Sequence, residues 1–139
     1  MRYLVVANQT LAGGHLLSTL RQLGAYERCR FHVVVPAMPP SDHVWTEGEA
    51  IDVAQRRLDA ALDRFRELDA DVGGEVGDAR PLQAIADVLE RGEIFDGIVL
   101  STLPPKLSRW LKLDLPHRVE STFGLPLIHV VGTREDVSA

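Results

Sequence analysis

A chain of 139 residues with 45% apolar and 25% charged content has ordinary globular composition and the length to bury about two-thirds of its unfolded surface around one core. Fifteen Lys and Arg against twenty Asp and Glu leave a net charge of −5, with the signs interleaved, which argues against the basic footprint of a nucleic-acid or anionic-membrane binder. At 6% aromatic content a base-stacking platform is not expected, and no apolar run approaches the ~20 residues of a membrane span.

The lone cysteine, Cys29, allows no internal disulfide and points to a reducing compartment. It reads as a small apolar residue near a strand start. The chain enters a strand at once (MRYLVVAN), with no cleavable apolar segment, so the expectation is a soluble, cytoplasmic protein forming one domain over 1–139.

Tyr3 to Ala7 is a short apolar run of the kind that a doubly covered parallel strand shows. NQTLAGG follows, then an amphipathic segment with Leu16, Leu17, Leu20 and Leu23 that is expected to stop near Gly24. Gly13 and Gly14 lack G-x-G-x-x-G spacing and read as close helix packing or a flexible helix start rather than a phosphate loop. Phe31 to Val35 is a second strand, closed by Pro36, Pro39 and Pro40.

The clearest helix carries Ile51, Ala54, Leu58, Ala61, Leu62, Phe65 and Leu68 at spacings of three and four. Asp52, Arg56, Arg57, Asp59, Asp63, Arg64 and Glu67 are predicted to form its solvated face. Asp71 to Val76, softened by Gly73 and Gly74, reads as a strand at a sheet edge. Gly77-Asp78 turns into a helix begun by Pro81 and ended by Gly92. Ile98 to Leu100 is the next strand and Leu127 to Val131 the last. Between them lies helical sequence interrupted by Pro116.

Strands alternating with helical segments call for an α/β fold: a doubly wound, five-stranded parallel sheet in strand order 3-2-1-4-5. Ligands in such sheets bind at the carboxyl ends of the strands flanking the reversal. That rule points to Ala7, Asn8, Gln9 and Thr10 after the first strand, and to Ser101 and Thr102 as a polar loop after the fourth. His15, at the start of the following helix, can face the same crevice. Lys106, Arg109 and Lys112 share a three-residue spacing on one helical face, either to meet an anion or to be solvated, with Arg109 pairing Asp114 or another acid. Trp110 beside them reads as packing the helix onto the sheet or a neighbouring subunit, ahead of stacking on a base.

The histidines at 15, 32, 43, 117 and 129 show no paired ligand spacing, so no metal site is expected. His32 and His129 read as strand residues on covered or interface faces. No serine lies in a G-x-S-x-G elbow, and no acid–base pair follows from spacing.

YLVVANQT, the Val76-Gly77-Asp78 turn, FDGIVLST, HRV at 117–119 and LPLIHVV, in this order, resemble the universal stress protein family over essentially the whole chain. The resemblance implies a doubly wound α/β fold and homodimerisation through the last strand, Leu127, Ile128, His129, Val130 and Val131. In one branch it also implies binding of an adenine nucleotide, ATP, without a large catalytic domain. That branch carries Gly-x2-Gly-x9-Gly-Ser/Thr after strand four, whose glycines let backbone N–H groups approach the phosphates.

With the register set on Arg118-Val119, the pattern falls on Leu100, Leu103, Leu113 and Asp114; shifting the first pair by one gives Ser101 and Pro104. Neither register supplies a glycine. Leu113 adds a side chain, and Pro104 and Pro105 each lack an N–H. Asp114, suited to a helix N-cap, would set a carboxylate where that branch holds phosphate. At a few ångströms and an effective dielectric of ~20, such like charges repel by several kcal/mol. The family often has an acid at the end of strand one, where this chain has Asn8, an amide that keeps hydrogen-bonding capacity without the charge.

The expectation is a non-enzymatic regulatory or stress-associated protein in which standard ATP binding is lost or weakened. The alternative is a small-molecule binding module for a nucleoside, a nucleoside monophosphate or another small anion contacted by Lys106 or Arg109. An ATP-cleaving enzyme lacks both the phosphate loop and an identifiable base.

Overall fold

The computed structural model describes residues 1–38, 44–68 and 70–136; Pro39, Pro40 and His43 of the sequence reading lie outside them. In chain order the elements are β1 (Arg2–Val6), α1 (Gly14–Tyr26), β2 (Arg30–Pro36), α2 (Glu47–Phe65), β3 (Asp71–Gly77), α3 (Pro81–Glu90), β4 (Gly97–Thr102), α4 (Arg109–Lys112), α5 (Leu115–Phe123) and β5 (Leu127–Val131), followed by a 3-10 turn at Arg134–Asp136. All strands are parallel, in the order β3-β2-β1-β4-β5. This is the doubly wound sheet that the alternating pattern predicts.

Continuous apolar runs make the central strands because both of their faces are covered. Val5, Phe31, Val33 and Val99 face Leu16, Leu20, Ala54, Leu58 and Phe65 from α1 and α2. Leu4, Val6, Val34, Ile98 and Leu100 face Ala84, Ile85, Val88, Trp110 and Val119 from α3, α4 and α5. The chain therefore leaves β1 toward one face and β4 toward the other, and their carboxyl ends, paired through Val6 and Leu100, open between the two connections.

Local chemistry sets several boundaries. Thr46 starts α2 as its N-cap: its hydroxyl accepts from Glu49 N–H at 3.1 Å and donates to Glu49 Oε1 at 3.2 Å. Gly74 does more than soften an edge strand, because a Cβ there would lie 2.7 Å from Leu58 Cδ1 and 2.8 Å from the Val33 carbonyl oxygen. It admits α2 onto the sheet.

Three sequence expectations shift. The first helix runs through Gly24 to Tyr26. Ser101 and Thr102 are the last residues of β4 rather than a loop, since Val130 and Val131 of β5 continue the ladder beside them. The helical sequence expected to be interrupted at Pro116 is two short helices that break instead at Leu113 and Asp114. Pro116 lies in the first turn of α5, where a missing N–H breaks no helical bond. Lys106 falls in the turn before α4, so Lys106, Arg109 and Lys112 do not form one helical face.

Candidate functional site

An open crevice lies where the carboxyl ends of β1 and β4 diverge. Asn8, Gln9 and Thr10 form one lip. Ser101, Thr102 and Leu103 form the floor beside it, Met38 enters from the end of β2, and Leu107, Ser108, Arg109 and Trp110 form the opposite wall. The topological rule thus brings together Asn8, Gln9, Thr10, Ser101 and Thr102 as expected, with Arg109 added from the basic segment. Ala7 is fully buried in the core behind the lip.

The floor is tied internally. Thr10 Oγ1 and Ser101 Oγ, both buried, share a hydrogen bond of 2.6 Å that joins the loop after β1 to the end of β4. Thr102 Oγ1 lies 2.9 Å from Nε2 of His129 on β5, and desolvation of that imidazole pushes its pKa down, which favours the neutral ring. These hydroxyls anchor the sheet end and are not exposed nucleophiles. On the opposite wall the Ser108 hydroxyl accepts from Leu111 N–H at 3.1 Å and so starts α4. The Trp110 indole N–H donates to Met38 Sδ at 3.0 Å, which holds an indole and a thioether against each other beside Leu103 and Leu107. Trp110 therefore packs as expected and also walls the crevice.

Asn8 departs from expectation. Its amide is turned inward: Nδ2 donates to the Pro36 carbonyl at 2.8 Å and Oδ1 accepts from Arg57 at 2.5 Å. Its polar atoms are engaged by the protein and not offered to a ligand. Arg57 and Arg64 are both predicted on a solvated face; Arg64 is exposed as expected while it bonds to the loop after β1, whereas Arg57 is half-buried and for it the expectation is corrected. Arg64 donates to the Ala12 carbonyl oxygen. Burial lowers the pKa of the Arg57 guanidinium, and no carboxylate among the described residues pairs with it. The signal was present in the sequence. Arg57 and Arg64 continue the stripe Ala50, Ala54, Ala61 and Leu68 at steps of three and four, and small alanines beside a long cation leave it room to fold inward.

His15 does not face the crevice. Its Nδ1 lies 2.7 Å from Oδ2 of Asp136, which also accepts from Thr133 N–H at 2.6 Å and Thr133 Oγ1 at 3.1 Å; Asp136 Oδ1 accepts from His15 N–H at 3.4 Å. Burial of Asp136 works to raise its pKa, yet these bonds hold it below the ordinary carboxylate value. A Cβ on Gly13 would fall 2.5 Å from Asp136 Cβ, so this glycine serves close packing, one of the roles expected of it. A carboxylate of the chain itself thus sits at the start of α1. Asp136 was missed, although Thr133-x-x-Asp136 is a capping pattern that the sequence displays.

The carboxylate expected to occupy the anion position, Asp114, is elsewhere. It is exposed, left-handed at φ 56°, and its side chain makes no cap bond to α5. Leu113 is 56% exposed. Neither lines the crevice, and neither does Pro104 or Lys106. The αL backbone that turns α4 into α5 carries both side chains outward. Arg109 makes no ion pair with Asp114 and stands exposed at the crevice mouth without a carboxylate partner among the described residues. No cluster of three His, Cys, Asp or Glu able to hold a metal ion occurs among the described residues.

No protein-family model matches the chain, and no curated protein matches it in sequence. Among solved structures, a universal stress protein in complex with cAMP superposes with a TM-score of 0.56 over 94% of this chain and 96% of that one, at 15% sequence identity. The architecture is shared with that protein. Among the described residues no helix is long and apolar enough to cross a membrane.

Proposed function

We propose that the protein is a non-enzymatic, regulatory ligand-binding module of universal stress type, whose crevice takes a compact nucleoside-like molecule in preference to ATP. The observation that carries this is the crevice at the strand reversal, with the Met38–Trp110 pair for a flat apolar ring on one side and Gln9 and Arg109 for polar groups at the mouth. The solved structure of like fold holds cAMP, which fits a ligand of that size. Weakened ATP binding follows from Pro104 and Pro105, which withhold two N–H donors just after β4, and from a loop without glycine. Leu113 and Asp114 are exposed, so restoring glycine and serine at those two positions should not restore ATP binding.

Calorimetry with adenosine, AMP, cAMP and ATP tests the proposal. The expected outcome is heat from a compact ligand and at least about tenfold weaker binding of ATP. ATP as the tightest ligand overturns it, and sustained phosphate release from ATP by the purified protein overturns the non-enzymatic part.

Pairing of two copies along β5 completes the proposal. β5 ends the sheet, with Val131 41% exposed and Leu127 and Ile128 half-buried along it. Light scattering that shows a strict monomer at micromolar concentration removes this interface.

A further inference from the structure

The guanidinium of Arg57, half-buried in the middle of α2, has one hydrogen-bond partner, Asn8 Oδ1. A guanidinium offers five N–H donors in a planar fork, so most of its capacity is unused. No buried side-chain nitrogen or oxygen among the described residues lacks a partner, and the free donors of Arg57 therefore reach solvent. Its charge is answered only by an amide dipole.

Other arginines tied to the strands meet acids: Arg91 forks onto Glu75, and Arg30 lies 3.2 Å from Asp71. Position 8 is where an acid would neutralise Arg57, and the chain has an amide there. The bond from Asn8 Nδ2 to the Pro36 carbonyl fixes that amide with its oxygen toward the guanidinium. Asn8 also lines the crevice, and Arg109 at the mouth has no carboxylate partner among the described residues either. A chain of net charge −5 thus keeps one uncompensated cation at the crevice mouth, Arg109, and another, Arg57, bonded behind a residue that lines it.

We propose that Arg57 makes the crevice select an anionic ligand, a nucleoside monophosphate over the neutral nucleoside. This rests on the nucleoside-like reading above for the organic part of the ligand, and on Arg57 for its charge. The phosphate gains the field of a partly desolvated cation held one residue behind the crevice lining, by Asn8.

The test compares AMP with adenosine by calorimetry on the wild-type protein, Arg57→Met, Arg57→Lys and Asn8→Asp. Wild type is expected to bind AMP about tenfold or more tighter than adenosine, with a preference that shrinks as salt is added. Arg57→Met removes the charge and Asn8→Asp neutralises it in place, so both should bring the two ligands to similar affinity. Arg57→Lys should keep most of the preference. Equal affinities in wild type, or a preference untouched by Arg57→Met, overturn the inference while leaving the nucleoside reading intact.

If neither ligand binds, the nucleoside reading falls and inorganic phosphate decides the charge. A phosphate-dependent NMR shift of the Asn8 side-chain amide, lost in Arg57→Met, supports the anion seat, and no shift overturns it. Should Arg57→Met fail to fold, Asn8→Asp and the salt dependence carry the same decision.

Discussion

The groove at the amino ends of the strands and the crevice at their carboxyl ends treat charge in different ways. At the amino ends of the strands, Arg30 of β2 stands in register with Asp71 of β3 and pairs with it at 3.2 Å. Further along β2 and β3, His32 Nε2 lies 2.6 Å from Glu75 Oε2, and Arg91 just after α3 forks onto the same carboxylate. Arg2 sets its guanidinium over the Phe95 ring at 5.4 Å, while its backbone N–H donates to Asp96 at 2.8 Å. A groove exists there too, lined by Arg2, Arg30, His32, Asp71 and Phe95, and within it Arg30 already faces Asp71. At the carboxyl ends, Arg57 and Arg64 bond only to neutral oxygens, and Arg109 stands without an acid. Paired charges hold strands and helices together, whereas a charge left without a counter-charge in a crevice favours an incoming anion. Depth of groove alone does not separate the two ends. The pairing of charge does.

The largest effect is expected at the latch beside the crevice. Gly13→Ala drives a methyl group into Asp136, which should cost about 1–3 kcal/mol in denaturant unfolding. Wild-type stability with an intact His15–Asp136 contact would break this account of the glycine.

Next come the paired charges. Glu75→Gln removes the shared acceptor of Arg91 and His32 and should cost about 1–2 kcal/mol, since the carboxylate is only partly exposed. Bonding to Arg91 first, and to His32, lowers the Glu75 pKa in the folded state against the opposing effect of burial. A depressed folded pKa gives stability that is fully present above the unfolded carboxylate value of about 4.3, and it is lost as pH falls through the folded value. Acid unfolding followed by circular dichroism should therefore show a steeper loss below about pH 4 in wild type than in Glu75→Gln. Parallel curves would show that this pairing adds nothing.

The Thr10–Ser101 bond sharpens the comparison on a smaller scale. Thr10→Val or Ser101→Ala alone leaves a buried hydroxyl unpaired and should cost about 1 kcal/mol. The double variant should lose less than the sum, because both polar groups are then gone. Simple additivity would mean that the two hydroxyls do not depend on each other.

The smallest effect concerns Arg109→Gln. This exposed, unpaired side chain should leave the unfolding transition where it is and weaken binding of an anionic ligand a few-fold. A large fall in thermal stability would show that Arg109 supports the fold.

Much of the fold is legible because its signals are local. Unbroken Val, Ile and Leu runs mark doubly covered strands, and Pro81 and Gly92 bracket α3. The carboxyl-end rule then locates the crevice without any motif, and five of the six residues it named line it. The anion position is less legible. Register alone puts the blocking carboxylate at Asp114, whereas an αL turn between two short helices carries Asp114 outward. The carboxylate at the start of α1 comes instead from Asp136, 121 residues after His15. Arg57 was assigned to solvent because a charge on an amphipathic helix is usually solvated. The bond to Asn8 joins residues 49 apart, and helix periodicity alone does not say which boundary residue turns inward.

By itself, the sequence determined the parallel sheet, its strand order and the crevice at its reversal, since apolar periodicity, proline and glycine positions and crossover handedness act over short stretches. Only the tertiary structure decided which charges at that crevice are answered. Compensation depends on the distance between side chains brought together by folding, and a long guanidinium can reach either solvent or a buried acceptor from the same helical position.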